Sequence, residues 1–106
     1  RAALNRALMQ IALGRGENAL ETLDGARERL AASDFGLAVA LAGDPAGAVR
    51  VLESAARAPG ADVKTRQNLA LAYALAGRWG QARATAAIDL SGHLLNQRMT
   101  DWAQFA

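Results

Sequence analysis

The residues GRGENA, at positions 14–19, are the segment whose residue types and spacing could do chemistry. They fit the pattern Gly-x-Gly-x-x-Ala, and Asp34 follows Gly14 by twenty residues. In dinucleotide-binding proteins such a turn holds a pyrophosphate and the acidic residue holds a ribose hydroxyl, but a β-strand must precede the first glycine. Here a stripe of apolar residues at helical spacing precedes Gly14. We therefore expect a helix end, and keep a nucleotide-binding domain built on Gly14-x-Gly16 only as a remote alternative.

Other reactive side chains are few. His93 is the only histidine and the sequence has no cysteine, so the usual ligand sets of zinc sites cannot form. The serines at 33, 54 and 91 lack an evident histidine-and-acid pair, and Ser91 is better explained as the N-cap of a helix. We predict no catalytic residue, no metal and no cofactor, and expect that the protein is not an enzyme.

The composition predicts an all-α fold. Hydrophobic residues make up 52% of the chain but aromatic residues only 5%. Alanine and leucine, which favour helices, dominate, whereas the residues that favour strands are scarce. The net charge is +2, without the concentrated basic patch of nucleic-acid-binding proteins. No apolar run reaches the ~18–20 residues that span a bilayer, so we expect neither a nucleic-acid partner nor a direct membrane span.

Three similar segments divide the chain: ALGRGENAL (12–20), ALAGDPAGAV (40–49) and ALAGRWGQAR (74–83). Each places a glycine after a helical pattern and an alanine five residues beyond that glycine. The alanines are 29 and 34 residues apart, a period typical of helical repeats. We predict one domain over 1–106, with three antiparallel helix pairs and a terminal helix at about 1–31, 32–60, 62–90 and 93–105.

Capping signals indicate where helices begin. Asp44-Pro45 is a strong start, since Asp accepts backbone N–H bonds at the N-cap and Pro suits the first helical position. Asp62 is expected to cap the next helix in the same way. Within the helix that follows Asp44, we expect an ion pair from Glu53 to Arg57, four residues on.

Three further boundaries follow from helical periodicity. The second helix is expected from about 17 to 31, with Gly25 inside it. Ser33 or Asp34 is expected to cap the third helix, and the sixth helix is expected over 79–89. The short connections between them predict antiparallel neighbours.

Helix pairs joined by a glycine turn at about 34 residues resemble the tetratricopeptide repeat (TPR) family, whose consensus is W-x2-L-G-x2-Y, then A-x3-F and a proline. The last repeat matches best, with Leu69-Ala70-x2-Tyr73 and then Ala82-x3-Ala86. The middle repeat matches fairly, with Phe35-Gly36-x2-Val39, Ala48-x3-Leu52 and Pro59; the first keeps only Ala7, Ala19 and Leu23. The resemblance implies a right-handed superhelix of about three repeats that acts as a protein-interaction scaffold.

Residues 35–106 show a narrower resemblance, to the TPR lipoproteins of the tight-adherence (Flp) pilus secretion apparatus. It is carried by TRQNLALAYALAG, by the break at IDLS and by the tryptophan in the terminal helix. It implies a factor on the periplasmic side of the outer membrane, whose partner is the pilus secretin or another pilus component. The chain begins inside a helical pattern, so we expect a trimmed or processed piece of a longer protein. A signal peptide and lipobox cysteine in the full gene would favour the lipoprotein. The alternative is a general TPR adaptor or chaperone-like scaffold of another pathway.

In this family the first helix of each pair lines a concave groove. The register implies that Leu69, Ala70, Tyr73 and Ala76 pack inside the repeat while the opposite face meets a peptide or helix. Asn5 and Asn68 fall where TPR grooves use asparagine to bind a peptide backbone. The predicted groove residues are Asn5, Leu8, Asp34, Leu37, Leu41, Lys64, Gln67, Asn68, Leu71 and Leu75, accompanied by Ile11, Ala12 and Ala40. The alternative for any one of them is packing against other helices.

The terminal helix resembles the capping helix of a TPR array. Its apolar side chains are Leu95, Met99, Trp102 and Phe105, more than a thin cap needs. We expect them to pack onto the sixth helix; the alternative is docking into another copy, which would give a homodimer.

Overall fold

The computed structural model describes residues 2–105. Over this range the chain is all-helical, without strands, which confirms the predicted fold class. The α-helices, numbered in chain order, are α1 Ala2–Ala12, α2 Gly16–Gly25, α3 Ala32–Leu41, α4 Pro45–Arg57, α5 Val63–Leu75, α6 Trp79–Ala86 and α7 Gly92–Phe105. A short 3₁₀ helix, Arg27–Arg29, lies between α2 and α3.

Helices α1, α3 and α5 end in the same turn. The glycines after them, Gly14, Gly43 and Gly77, have φ angles of 76°, 109° and 79°, a region that glycine adopts without strain. In each turn the N–H of the next residue donates to the carbonyl of the residue four before the glycine, at 2.8 to 3.1 Å. These are Schellman motifs, which end helices by satisfying their last carbonyls. The shared turn defines equivalent positions along the three helix pairs, counted from each glycine.

Both predicted aspartate caps are confirmed. Asp44 Oδ1 accepts the Gly47 N–H at 3.0 Å, and Asp62 Oδ1 accepts the Thr65 N–H at 2.9 Å. The side-chain hydrogen bond from Thr65 to Asp62, helped by the backbone one, lowers the pKa of the Asp62 carboxyl. Pro45 occupies the first turn of α4, as its fixed φ favours.

Three boundaries differ from the prediction. Helix α2 ends at Gly25 instead of near residue 31, because glycine lowers helix propensity and the chain continues as a 3₁₀ turn. The N-cap of α3 is Ala31, with no side-chain hydrogen bond, so Ser33 and Asp34 lie inside the first turn. Helix α6 ends at Ala86, and the residues up to Asp89 form turns.

The predicted Glu53–Arg57 ion pair is wrong. Glu53 instead accepts the hydroxyl of Tyr73 from the next helix pair. Burial, and then this carboxylate, raise the pKa of Tyr73. Glu53 therefore pairs with a buried side chain of another helix and not with an exposed one of its own. An exposed ion pair within one helix contributes only a few tenths of a kcal/mol.

Small residues lie where the helices cross. The alanines five residues after each turn glycine, Ala19, Ala48 and Ala82, are fully buried. Gly36 lies where α3 crosses α4, and a Cβ there would lie 2.5 Å from Leu52 Cγ. This close approach of two helices needs a residue without a side chain.

Helices that follow one another in the chain pack as neighbours, and the described residues extend over 39 × 32 × 19 Å. Within each pair, α1 packs on α2, α3 on α4 and α5 on α6. The odd-numbered helices also contact one another in chain order, α1 with α3, α3 with α5 and α5 with α7. One face of α3 therefore belongs to a surface shared by α1, α3 and α5, and another lies between α2 and α4.

Candidate functional site

Three leucines, which we call the leucine row, occupy equivalent positions on the odd-numbered helices α1, α3 and α5. Leu8, Leu37 and Leu71 each lie six residues before a turn glycine, one on each of α1, α3 and α5. The exposed fraction of Leu8 is 41%, and Leu37 and Leu71 are half-buried. Neighbouring helix axes are about 8–10 Å apart, so this leucine row extends over roughly 20 Å.

A second row, Ala12, Leu41 and Leu75, lies one helical turn further along the same helices. Ala12 is exposed, whereas Leu41 and Leu75 are half-buried. Of the four predicted inside positions of α5, Leu69, Ala70 and Tyr73 are buried and Ala76 is half-buried. Of the accompanying positions, Ile11 is half-buried and Ala40 is buried in the core.

The polar members of the predicted groove are largely engaged by the chain itself. Lys64 Nζ lies 2.8 Å from Asp34 Oδ1, and Asn68 Nδ2 donates to the Ser33 carbonyl at 3.1 Å. Both contacts join α5 to α3. Asn5, at the position equivalent to Asn68, is exposed.

Gln67 holds the C-terminal part of the chain in place. Its side-chain Nε2 donates a hydrogen bond to the Ala86 carbonyl at 3.4 Å, and its Oε1 accepts one from Arg98 Nη1 at 3.0 Å. Nearby, Arg66 forms a two-bond ion pair with Asp89 at 2.8 and 2.9 Å. The side-chain hydrogen bond between them raises the pKa of Arg66 and lowers that of Asp89. The side chains of 66 and 67 thus stabilise the third pair and α7.

Helix α7 packs against α5 and α6. Leu95 and Trp102 are buried with exposed fractions of 7% and 9%, and Met99 is half-buried. The Arg98 guanidinium lies 5.7 Å from the Trp102 ring centre. These side chains are therefore covered within the chain; the prediction for Phe105 lies outside the described side chains.

A cleft of about 710 Å³ on the other side of α3 was not predicted. We call it the α2–α4 cleft. Its apolar lining includes Leu20, Leu30, Phe35, Val39, Val51 and Ala55, and its charged lining includes Asp24, Arg27, Asp44 and Arg50.

The GRGENA segment does not form a nucleotide-binding turn. Helix α1 precedes Gly14, and no strand occurs in residues 2–105. Gly16 begins α2, where a Cβ would lie 2.4 Å from the Ala42 carbonyl oxygen. The second glycine therefore serves the close approach of α2 to the end of α3. Within this same range, no group of three or more His, Asp or Glu side chains could hold a metal ion.

Nothing in the described part of the chain is a helix of the length and apolar character that crossing a membrane requires. Comparisons with protein-family models, with curated proteins and with solved structures give no match. The fold defines the class of the protein, an all-α arrangement of short helices, and the leucine row and the α2–α4 cleft are its two candidate sites.

Proposed function

We propose that the protein is a non-catalytic interaction scaffold of the TPR type, which binds a peptide or helix of a protein partner on the leucine row. The observation that supports this is the recurrence of one residue type at one position. Scattered surface leucines need no explanation, but leucines at equivalent positions on three adjacent helices would form a continuous apolar strip, which is typical of a partner site. In this proposal the three helix pairs form a right-handed TPR superhelix closed by α7.

The leucine row suits an amphipathic partner segment. Helix-in-groove recognition buries apolar anchors at helical spacing along such a strip. Polar groups flank the row, with Asn5 beside Leu8 and the Lys64–Asp34 ion pair beside Leu37. The ion pair is partly exposed, with side-chain fractions of 60% and 33%, so it remains accessible to a polar group of a partner.

A binding assay on matched leucine variants tests the row. A peptide library is panned against the wild-type chain, and affinities of the selected peptides are measured by calorimetry for Leu8→Glu and Leu37→Glu. Each substitution places a charge in the interface, and we expect at least a tenfold loss, about 1.4 kcal/mol or more. Leu94→Glu is the control, since Leu94 is 61% exposed on α7 and lies away from the row. Equal affinity for all three variants would reject the leucine row.

Within this class, we propose that the chain is a TadD-like factor in Flp (tight-adherence) pilus assembly, whose partner is the secretin or another pilus component. The support is the sequence resemblance of residues 35–106, with TRQNLALAYALAG in α5, IDLS between α6 and α7, and Trp102 in α7. As a lipoprotein it would act on the periplasmic side of the outer membrane. The competing proposal is an adaptor or chaperone-like scaffold of another pathway.

Fractionation and co-purification separate these two proposals. In cells that express the full gene product, the TadD-like proposal predicts globomycin-sensitive processing, recovery with outer membranes and co-purification with the secretin. Leu37→Glu should lose the secretin but keep the localisation. A gene product that stays in the cytosol would leave only the general adaptor.

A further inference from the structure

The α2–α4 cleft lies at a junction between helix pairs, and the next junction shows how the fold fills the equivalent space. Val39 borders the cleft, four residues before Gly43. The equivalent residue four before Gly77 is Tyr73. The carbonyls of Val39 and Tyr73 accept the same turn hydrogen bond, at 3.1 and 2.8 Å, so the two side chains leave the backbone at the same point of the fold.

At the second junction the space is occupied by the phenol of Tyr73. Its hydroxyl donates to the Glu53 carboxylate of α4. The guanidinium of Arg78 lies 5.0 Å from the centre of the ring, within cation–π range. Tyr73 has an exposed fraction of only 6%.

The first junction keeps the acidic neighbour of this ring, but valine, at residue 39, stands in place of the tyrosine. Asp24 lies at the position equivalent to Glu53, five residues beyond Ala19 as Glu53 is beyond Ala48, and lines the cleft. The position of Arg78, one residue after the turn glycine, is held here by Asp44. The guanidinium of this junction is that of Arg27, which lies 5.0 Å from the centre of the Phe35 ring. Val39 ends where a phenol would begin, which leaves the cleft open.

We propose that the α2–α4 cleft binds a tyrosine side chain presented by a protein partner. The ring would lie against Phe35, Val39 and Val51, and its hydroxyl would donate to the Asp24 carboxylate beside the Arg27 guanidinium. Phe35 and Val39 lie on the opposite face of α3 from Leu37 and Leu41, given about 100° per residue. The site is therefore separate from the leucine row and does not depend on it.

Amide chemical shifts in the wild-type chain test the ligand class. The probes are N-acetyltyrosinamide, N-acetylphenylalaninamide, N-acetylleucinamide and p-cresol. We expect saturable shifts at the cleft residues, with N-acetyltyrosinamide binding most tightly. Equal binding of the leucine compound would overturn the assignment, because the cleft would then be a general apolar pocket. If p-cresol bound and N-acetyltyrosinamide did not, the proposal would also be overturned, because the ligand would then be a free phenol and not a tyrosine side chain.

Filling the cleft from within provides the first variant. Val39→Tyr copies the second junction, so its own ring should occupy the site and abolish the shifts caused by N-acetyltyrosinamide. The matched control is Val63→Tyr, because Val63 is 52% exposed at the start of α5 and does not line the cleft. Unchanged binding to Val39→Tyr would overturn the proposal.

A surface variant keeps the proposal testable if Val39→Tyr fails to fold. Asp24 is exposed, so Asp24→Ala should leave the fold intact while removing the acceptor for the phenol. We expect N-acetyltyrosinamide to bind about tenfold more weakly, as for the loss of a hydrogen bond to a charged group, with N-acetylphenylalaninamide unchanged. Glu21→Ala on the same helix is the control. If both compounds lost affinity equally, or if neither lost affinity, the role of Asp24 would be contradicted.

Discussion

The two junctions between helix pairs use equivalent positions but differ in how completely they are packed. At the first, α2 meets α3 over a short contact and leaves the α2–α4 cleft. At the second, α4 packs along α5, and Tyr73 bonds across the junction to Glu53. Within residues 2–105, no side-chain hydrogen bond joins α2 to α3.

Two local differences explain the contrast. Helix α2 ends at Gly25, whereas α4 continues to Arg57 and covers more of the helix that follows it. The position that holds Tyr73 at the second junction holds the smaller Val39 at the first. The two junctions therefore differ in the side chain at this position and in the length of the helix that precedes it.

Tyr73→Val should change stability more than the other substitutions, because it places at the second junction the residue type, valine, that the first junction has at this position. It removes a buried ring together with the hydrogen bond to Glu53, so we expect the free energy of unfolding to fall by about 3 kcal/mol. Urea unfolding followed by circular dichroism measures the change. Leu94→Val is the control, since its exposed site should alter stability by less than about 0.5 kcal/mol. A similarly small loss for Tyr73→Val would show that the ring contributes little to the second junction.

Gly36→Ala tests the close crossing of α3 and α4 that holds the middle pair together. The added methyl would lie 2.5 Å from Cγ of Leu52, a side chain that is fully buried. We expect a loss of about 2 kcal/mol, as for overpacking of a core. The matched control is Gly25→Ala, because no atom lies within 4 Å of a Cβ built there.

Gly25→Ala should change stability in the opposite direction. Alanine has the higher helix propensity, so a gain of about 0.5–1 kcal/mol is expected at the end of α2. Thermal unfolding of the two alanine variants side by side gives the comparison. A loss at both sites would mean that Gly25 is required for the 3₁₀ turn beside the cleft.

Much of the fold could be predicted because its signals are local. The glycine turns, the aspartate caps at 44 and 62, and the buried alanines after each turn each depend on a few neighbouring residues. The buried residues Leu69, Ala70 and Tyr73 of α5 lie at positions that the TPR resemblance implied for the inside of the repeat. These features need no knowledge of distant contacts.

The remaining features depend on residues far apart in the chain. Glu53 pairs with Tyr73 across a junction, so the prediction within one helix chose the wrong partner. Asn68 bonds to the Ser33 carbonyl, which no spacing rule indicates. The cleft could have been suspected from Val39 standing at the position of Tyr73, but its opening also required the early end of α2.

The ionisation of Tyr73 is expected to change stability less than the substitutions above, but it reports on the second junction alone. Burial raises its pKa above the ordinary value near 10, and the Glu53 carboxylate raises it further. As the pH rises above about 10, the unfolded chain loses this proton before the folded chain does, so the free energy of unfolding falls with pH. The sequence has one tyrosine, so the ultraviolet absorbance of the phenolate follows Tyr73 alone. In Glu53→Gln we expect the midpoint to move down but to stay above 10, since burial remains; a wild-type midpoint at 10 would mean that the ring is solvated and that the second junction is as open as the first.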